Sequence, residues 1–146
     1  MIKKIIDGML SKKPKEYKSH LATTATPYDI LQEKGVRAIA EHFYDVMETD
    51  PKVQRLLSIH PQPLNNIRQK FFEFLSGWTG GPALFEEKYG HPRLRARHLP
   101  FTVDAELKEQ WMYCMNKALD EHVENVAIKE HLRGAFEQLA QHMINC

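Results

Sequence analysis

An all-α domain is the fold class this sequence predicts, and three observations predict it. Four separate stretches carry apolar residues at the three- and four-residue steps of a helix. No stretch sustains the two-residue alternation of a half-buried strand. The firmest break, Gly80-Gly81-Pro82, falls between two of the stripes, where a helix would have to stop. A chain of 146 residues, 42% hydrophobic and 27% charged, is long enough for one core; at this size folding hides roughly 68–70% of the surface an unfolded chain exposes. The same mix excludes collagen-like, low-complexity and wholly disordered chains.

Taken in order, Met1 to Ala25 stands apart as an N-terminal extension, with the main domain running over 26–146. In the extension Ile2, Ile5, Ile6, Met9 and Leu10 recur at helical spacing, while Lys3, Lys4, Lys12, Lys13, Lys15 and Lys18 fill the other positions and the stretch beyond. A short amphipathic helix ended by Pro14 is expected. Its basic face suits an anionic membrane surface or a partner; packing on the chain's own domain is the plainer reading. Thr26 before Pro27 marks a helix start with Pro at its first position. The first long stripe follows, with Val36, Ile39, Ala40, Phe43 and Met47. The second, unusually aromatic, is Leu64, Ile67, Phe71, Phe74, Leu75 and Trp78, and the diglycine ends it. Leu107, Trp111, Met115, Ala118 and Leu119 form the third, and Ile128, Leu132, Phe136, Leu139 and Met143 the fourth. Helices with one apolar face each must bury those faces together.

The formal charge is only +1, so nothing here has the basic stripe of a nucleic-acid binder. Cys114 and Cys146 are the only cysteines, too few for a disulfide framework, a zinc knuckle or a CxxC pair, and a reducing cytoplasm fits best. No apolar run approaches the ~20 residues that span a bilayer, and no secretory leader is recognisable. A soluble, cytoplasmic protein is expected.

Between the second and third stripes lies a polar, kinked region from Pro82 to Pro100 that a simple four-helix bundle would not need. Its densest part, Gly90-His91-Pro92-Arg93-Leu94-Arg95-Ala96-Arg97-His98-Leu99-Pro100-Phe101, packs three arginines and two histidines into a run too short for a long helix. A histidine among arginines can ligate a metal through one imidazole nitrogen while the arginines meet carboxylates. Haem offers both targets, with an apolar ring that needs aromatic and aliphatic walls. His98 alone would more often be an ordinary surface or hydrogen-bonded residue. CxxCH is absent, which excludes covalent haem attachment. HExxH, GxSxG, GxGxxG and the P-loop pattern are absent too, and His91 and His98, seven apart across Pro92, do not share one helical face for zinc.

With these residues in view, the chain resembles the truncated haemoglobins, and more narrowly their second group. The diglycine break, the arginine-flanked His98 and Trp111 within Gln110-Trp111-Met112-Tyr113-Cys114-Met115 follow in the family's order and spacing. The likeness runs from about Pro27 to Met143. It implies a globin-like two-over-two sandwich, helices B and E against G and H, around a non-covalent b-type haem with His98 as proximal iron ligand. Tyr44, in His42-Phe43-Tyr44-Asp45, and Trp111 match the family's distal hydrogen-bond donors, each worth roughly 1.5–3 kcal/mol to a partly anionic ligand. Either donor is, on its own, also an ordinary core aromatic.

The resemblance also implies that Arg97, with Arg95 and Lys70, meets the haem propionates, and that Phe71, Phe74, Leu75 and Phe101 form apolar wall. The chain departs from the family at three places, the first being Lys70, where arginine is more frequent and a lysine is a point charge in place of a fork. His60 stands where Phe or Tyr is common, so it either donates to a bound ligand, approaches the iron itself or faces solvent. Ile67 occupies a place often polar, leaving helix E to supply bulk. The implied activity is reversible binding of dioxygen, nitric oxide and carbon monoxide. Oxidation of nitric oxide to nitrate or peroxide-linked redox chemistry is also implied, with electrons from an unidentified reductase. Bulk oxygen transport suits tight distal donors less well. A haem-based sensor and a haem-free helical interaction protein are the rival readings.

Overall fold

Residues 25–146 are described by the computed structural model; the helix expected within Met1 to Ala25, with its membrane or partner contact, lies outside them but for its last residue. Among the described residues the order is α1 (Pro27–Thr49), a 3-10 turn (Pro51–Val53), α2 (Gln54–Ser58), α3 (Asn65–Trp78), α4 (Leu84–Tyr89), α5 (Leu94–His98), α6 (Ala105–His122) and α7 (Val126–Met143). The four expected stripes are the four long helices. The region 82–100, read as polar and kinked, contains the two short helices α4 and α5.

Local chemistry starts the long helices where the sequence suggested. At α1 the Thr26 hydroxyl accepts from the Asp29 amide at 3.2 Å and the Asp29 carboxylate accepts from the Thr26 amide at 2.8 Å, with Pro27 following. This reciprocal box satisfies two otherwise orphan donors. Asp104 caps α6 by accepting from Leu107 N, and Asn125 caps α7 by accepting from Ile128 N. Inside α1, Gln32 leaves helical geometry at φ 60, so a one-turn lead-in precedes the straight part. Its side-chain amide donates to the Asp29 carbonyl at 2.6 Å, compensating for the broken ladder.

α1 packs on both α3 and α6, and α6 on α7, giving two helices over two. Phe43, Met47, Trp78, Met115, Leu119, Ile128, Leu132 and Phe136 are fully buried at the centre, each worth roughly 1.5–3 kcal/mol of transfer from water. Trp78 of α3 stacks on Phe136 of α7 at 4.2 Å and 20°, tying the layers together. The diglycine is required by close approach as well as by turning. Gly80 has φ +100, and a Cβ on Gly81 would fall 2.4 Å from the Tyr28 ring. The Tyr28 amide donates to the Thr79 carbonyl at 3.0 Å there, so the end of α3 is docked on the start of α1.

Candidate functional site

Side chains from four segments converge on one aromatic cluster. On α1, Phe43 and Tyr44 are both buried, their rings edge to face at 5.0 Å. From α3, Phe71 meets Phe43 at 4.9 Å and Tyr44 at 5.6 Å. From α6, Trp111 meets Phe43 at 5.2 Å and Phe71 at 6.3 Å, and touches Phe136 of α7 at 5.8 Å. Just past α2, the His60 ring lies 6.2 Å from that of Tyr44. These separations are those of favourable aromatic pairs. Ile67, one turn before Phe71, is half-buried against the same core, and Phe74 and Leu75 are buried behind it.

Two donors here are unspent. Neither the Tyr44 hydroxyl nor the Trp111 indole N–H finds an acceptor among the described residues. Burial pushes the Tyr44 phenol far above its ordinary pKa, with Arg68 opposing and Cys114 adding, so the proton stays on the oxygen and available for donation. Cys114, buried beneath, is itself pushed up to about 12 by burial, with Asp50 adding; it is an inert thiol.

The two histidines are anchored alike. His98, the last residue of α5, places Nδ1 2.6 Å from the Leu94 carbonyl, and His60 places Nδ1 2.8 Å from the Leu56 carbonyl. A carbonyl only accepts, so each Nδ1 carries the hydrogen, and the neutral form of either ring has its bare nitrogen at Nε2. That tautomer is the one that ligates a metal through Nε2, with the far nitrogen fixed by a backbone oxygen. Burial holds His60 below the ordinary imidazole pKa; the Leu56 carbonyl opposes this and the nearby charge of His98 reinforces it.

Around His98 the surface is apolar with a cationic fringe. Tyr89, Leu99 and Phe101 are 40%, 60% and 41% exposed, three of the largest uncovered apolar side chains within a dozen residues of chain. Arg97 is exposed with its guanidinium 5.2 Å over the Phe85 ring, and the Lys70 ammonium sits 5.2 Å over Tyr89. Arg95 is placed differently from Arg97: its Nη1 donates to the His142 carbonyl at 2.7 Å, fastening α5 to the end of α7. Phe101, expected in the wall, stands at this uncovered rim rather than among the buried rings.

Two residues that hold the pocket together carried no functional sign in the sequence. Arg68, its side chain 14% exposed, bridges Glu41, Asp45 and Glu48 of α1 at 2.8–2.9 Å and so pins α3 beside Tyr44. Glu73 is 1% exposed and binds the Lys88 ammonium and, at 3.1 Å, the Tyr89 hydroxyl, holding α4 on α3. A carboxylate between Phe72 and Phe74 was the visible anomaly; its partners were not.

No helix of the described residues is long and apolar enough to cross a membrane. A family model for bacterial-like globins matches residues 26–145. The chain is similar to a cold-adapted truncated haemoglobin of the Antarctic marine bacterium Pseudoalteromonas haloplanktis TAC125, with 58% identity and a TM-score of 0.82 over 84% of this chain and 99% of that one. It is 37% identical to a group II 2-on-2 haemoglobin of the plant pathogen Agrobacterium tumefaciens, at a TM-score of 0.81 over 85% and 97% of the two chains. A truncated oxygen-avid haemoglobin of Bacillus subtilis shares 36% identity at a TM-score of 0.75, over 83% and 100%. On the matched residues and the two-over-two helices, the chain belongs to the bacterial-like globin family as a group II truncated haemoglobin.

Proposed function

We propose that this protein binds haem b without covalent attachment and holds dioxygen, nitric oxide or carbon monoxide beside it. The observation that carries the reading is one aromatic cluster that holds two unspent donors, Tyr44 and Trp111, with the His60 ring beside it and His98 anchored through Nδ1 to a backbone carbonyl. The residues fit the group. His98 would hold the iron through Nε2, its ring fixed by the Leu94 carbonyl. Tyr89, Leu99 and Phe101 offer the uncovered apolar area a porphyrin face needs, and Arg97 and Lys70 supply cations for its carboxylates. When bound, haem supplies an iron(II) centre that takes diatomic gases reversibly.

The chain's own part is to choose and retain the guest. The rings of Phe43 and Phe71 exclude water, which strengthens a hydrogen bond from Tyr44 Oη or Trp111 Nε1 to a guest bearing partial negative charge. At roughly 1.5–3 kcal/mol per donor, Tyr44→Phe or Trp111→Phe should speed oxygen dissociation about 10- to 100-fold by stopped flow; rates unchanged in both would remove them from this role. The oxygen avidity stated for the Bacillus subtilis relative supports the same reading. Binding is the primary function. Turnover on nitric oxide or peroxide extends it where an external reductase returns the electrons. The free thiols of Cys114 and Cys146 agree with a reducing cytoplasm.

A second reading concerns His60. Its anchoring duplicates that of His98, with Nδ1 on a carbonyl four residues back and Nε2 bare. His60 is therefore a second candidate for the iron in the resting protein, in competition with external ligands. Ferric spectra of the wild type and His60→Ala separate the two roles: a low-spin fraction present only in the wild type supports ligation, and identical spectra leave His60 as a donor.

A further inference from the structure

Away from the pocket, two more imidazoles meet where the middle of α1 crosses the C-terminal end of α6. His42 Nδ1 and His122 Nε2 lie 3.0 Å apart, with ring centroids at 5.0 Å and planes at 76°. Both side chains are half-buried. A hydrogen bond between the rings accounts for the contact, one nitrogen donating and the other accepting. The same separation is that of two neighbouring ligands on one metal ion. Bonds of about 2.0–2.1 Å meeting at a right angle put their nitrogens about 2.9 Å apart, and at the tetrahedral angle about 3.3 Å.

We propose that His42 and His122 form a binding site for a divalent copper or zinc ion, completed by water. Imidazole is the shared preference of these two cations, and copper(II) binds a given nitrogen site more tightly than zinc. Burial first, and then the neighbouring His42, hold the His122 imidazole below its ordinary pKa, against the opposing charge of Glu121. The ring is thus neutral, as a ligand must be, near pH 7. Among the described residues no group of three or more metal-ligating side chains forms, so this is a two-nitrogen site of moderate affinity. The ion would clamp α6 to α1. His42 and Tyr44 are two residues apart and so do not share a helix face; the clamp leaves the aromatic pocket untouched.

The test uses the full-length, haem-loaded protein, so that His98 and His60 are already occupied or enclosed. His42→Asn and His122→Gln are matched variants, because each amide sets a polar atom close to the nitrogen it replaces, keeping a hydrogen bond while withdrawing the imidazole. Calorimetric titration with zinc chloride should show one ion fewer per chain in each variant than in the wild type. Thermal unfolding followed by far-UV circular dichroism should show the wild-type Tm rising with zinc. The rise reaches roughly 5–8 °C at about a hundredfold over Kd and is lost in both variants. Copper(II) sulfate should reach the same effect at lower concentration, and the Soret band should not move. Equal stoichiometry in the wild type and either variant, or no rise in the wild type at any zinc concentration that keeps the protein in solution, overturns the proposal.

Discussion

The four long helices and the segment from 82 to 101 are built by different means. α1, α3, α6 and α7 bury continuous apolar stripes, and three of them start on side-chain caps. The segment carries α4 of six residues and α5 of five, neither capped by a side chain, with Arg93 at φ 47 opening α5. Helices that short do not stand by propensity in water. Long-range ties hold them instead: Glu73 to Lys88 and Tyr89, Arg95 to the His142 carbonyl, and Asn145 Nδ2 to the Phe101 carbonyl at 2.9 Å. The frame is self-sufficient, whereas the strip bearing His98 is placed by its neighbours. Such a strip belongs to the low-stability end of the molecule, which suits a wall that must admit a large planar group.

The largest blow to the frame should come from Arg68→Ala. It leaves Glu41, Asp45 and Glu48 facing one another without their shared cation. The expected cost is about 1–3 kcal/mol, a fall in Tm of roughly 3–8 °C by differential scanning calorimetry. A change under about 1 °C would mean that burial alone joins α1 to α3.

A smaller and more local effect is expected of Glu73→Gln, which keeps shape and releases the ion pair. Hydrogen exchange over 84–89 should quicken several-fold while α6 and α7 keep their protection; uniform loss would erase the contrast between frame and segment. The same residue predicts a pH dependence. Burial pushes the Glu73 carboxyl up, but the bonds from Lys88, Tyr89 and Gln69 together hold it below the usual carboxylate range. A carboxyl lowered in the folded state contributes stability that is present above its unfolded pKa and lost as pH falls through the folded value. Acid should therefore loosen α4 before the frame, and Glu73→Gln should remove that step from an exchange profile taken against pH.

The same division decides what could be read from sequence. Periodicity located Phe43, Phe71 and Trp111 on three stripes, and Thr26-Pro27 and Gly80-Gly81 marked real boundaries because caps and tight turns are local. His98 stood out as a candidate through its arginines, and His60 through its mismatch with the family pattern. Arg95 was not, since its acceptor is a backbone carbonyl at the far end of the chain and carries no residue type to read. Arg68 and the His42 and His122 pair escaped for a related reason: their partners lie on other helices, and which faces of α1, α3 and α6 meet is settled only by packing. Phe101 shares an apolar character with Phe71 but stands at an exposed rim, a distinction that composition cannot make.

The most direct test of the account is whether the imidazole of His98 decides capture of the chromophore. Haem titrated into the wild type should give a saturable one-to-one Soret band. His98→Gly should bind haem far more weakly, with an altered spectrum that added imidazole restores by filling the space beside the Leu94 carbonyl. A His98→Gly protein that takes up haem with wild-type affinity and spectrum, without imidazole, would contradict it.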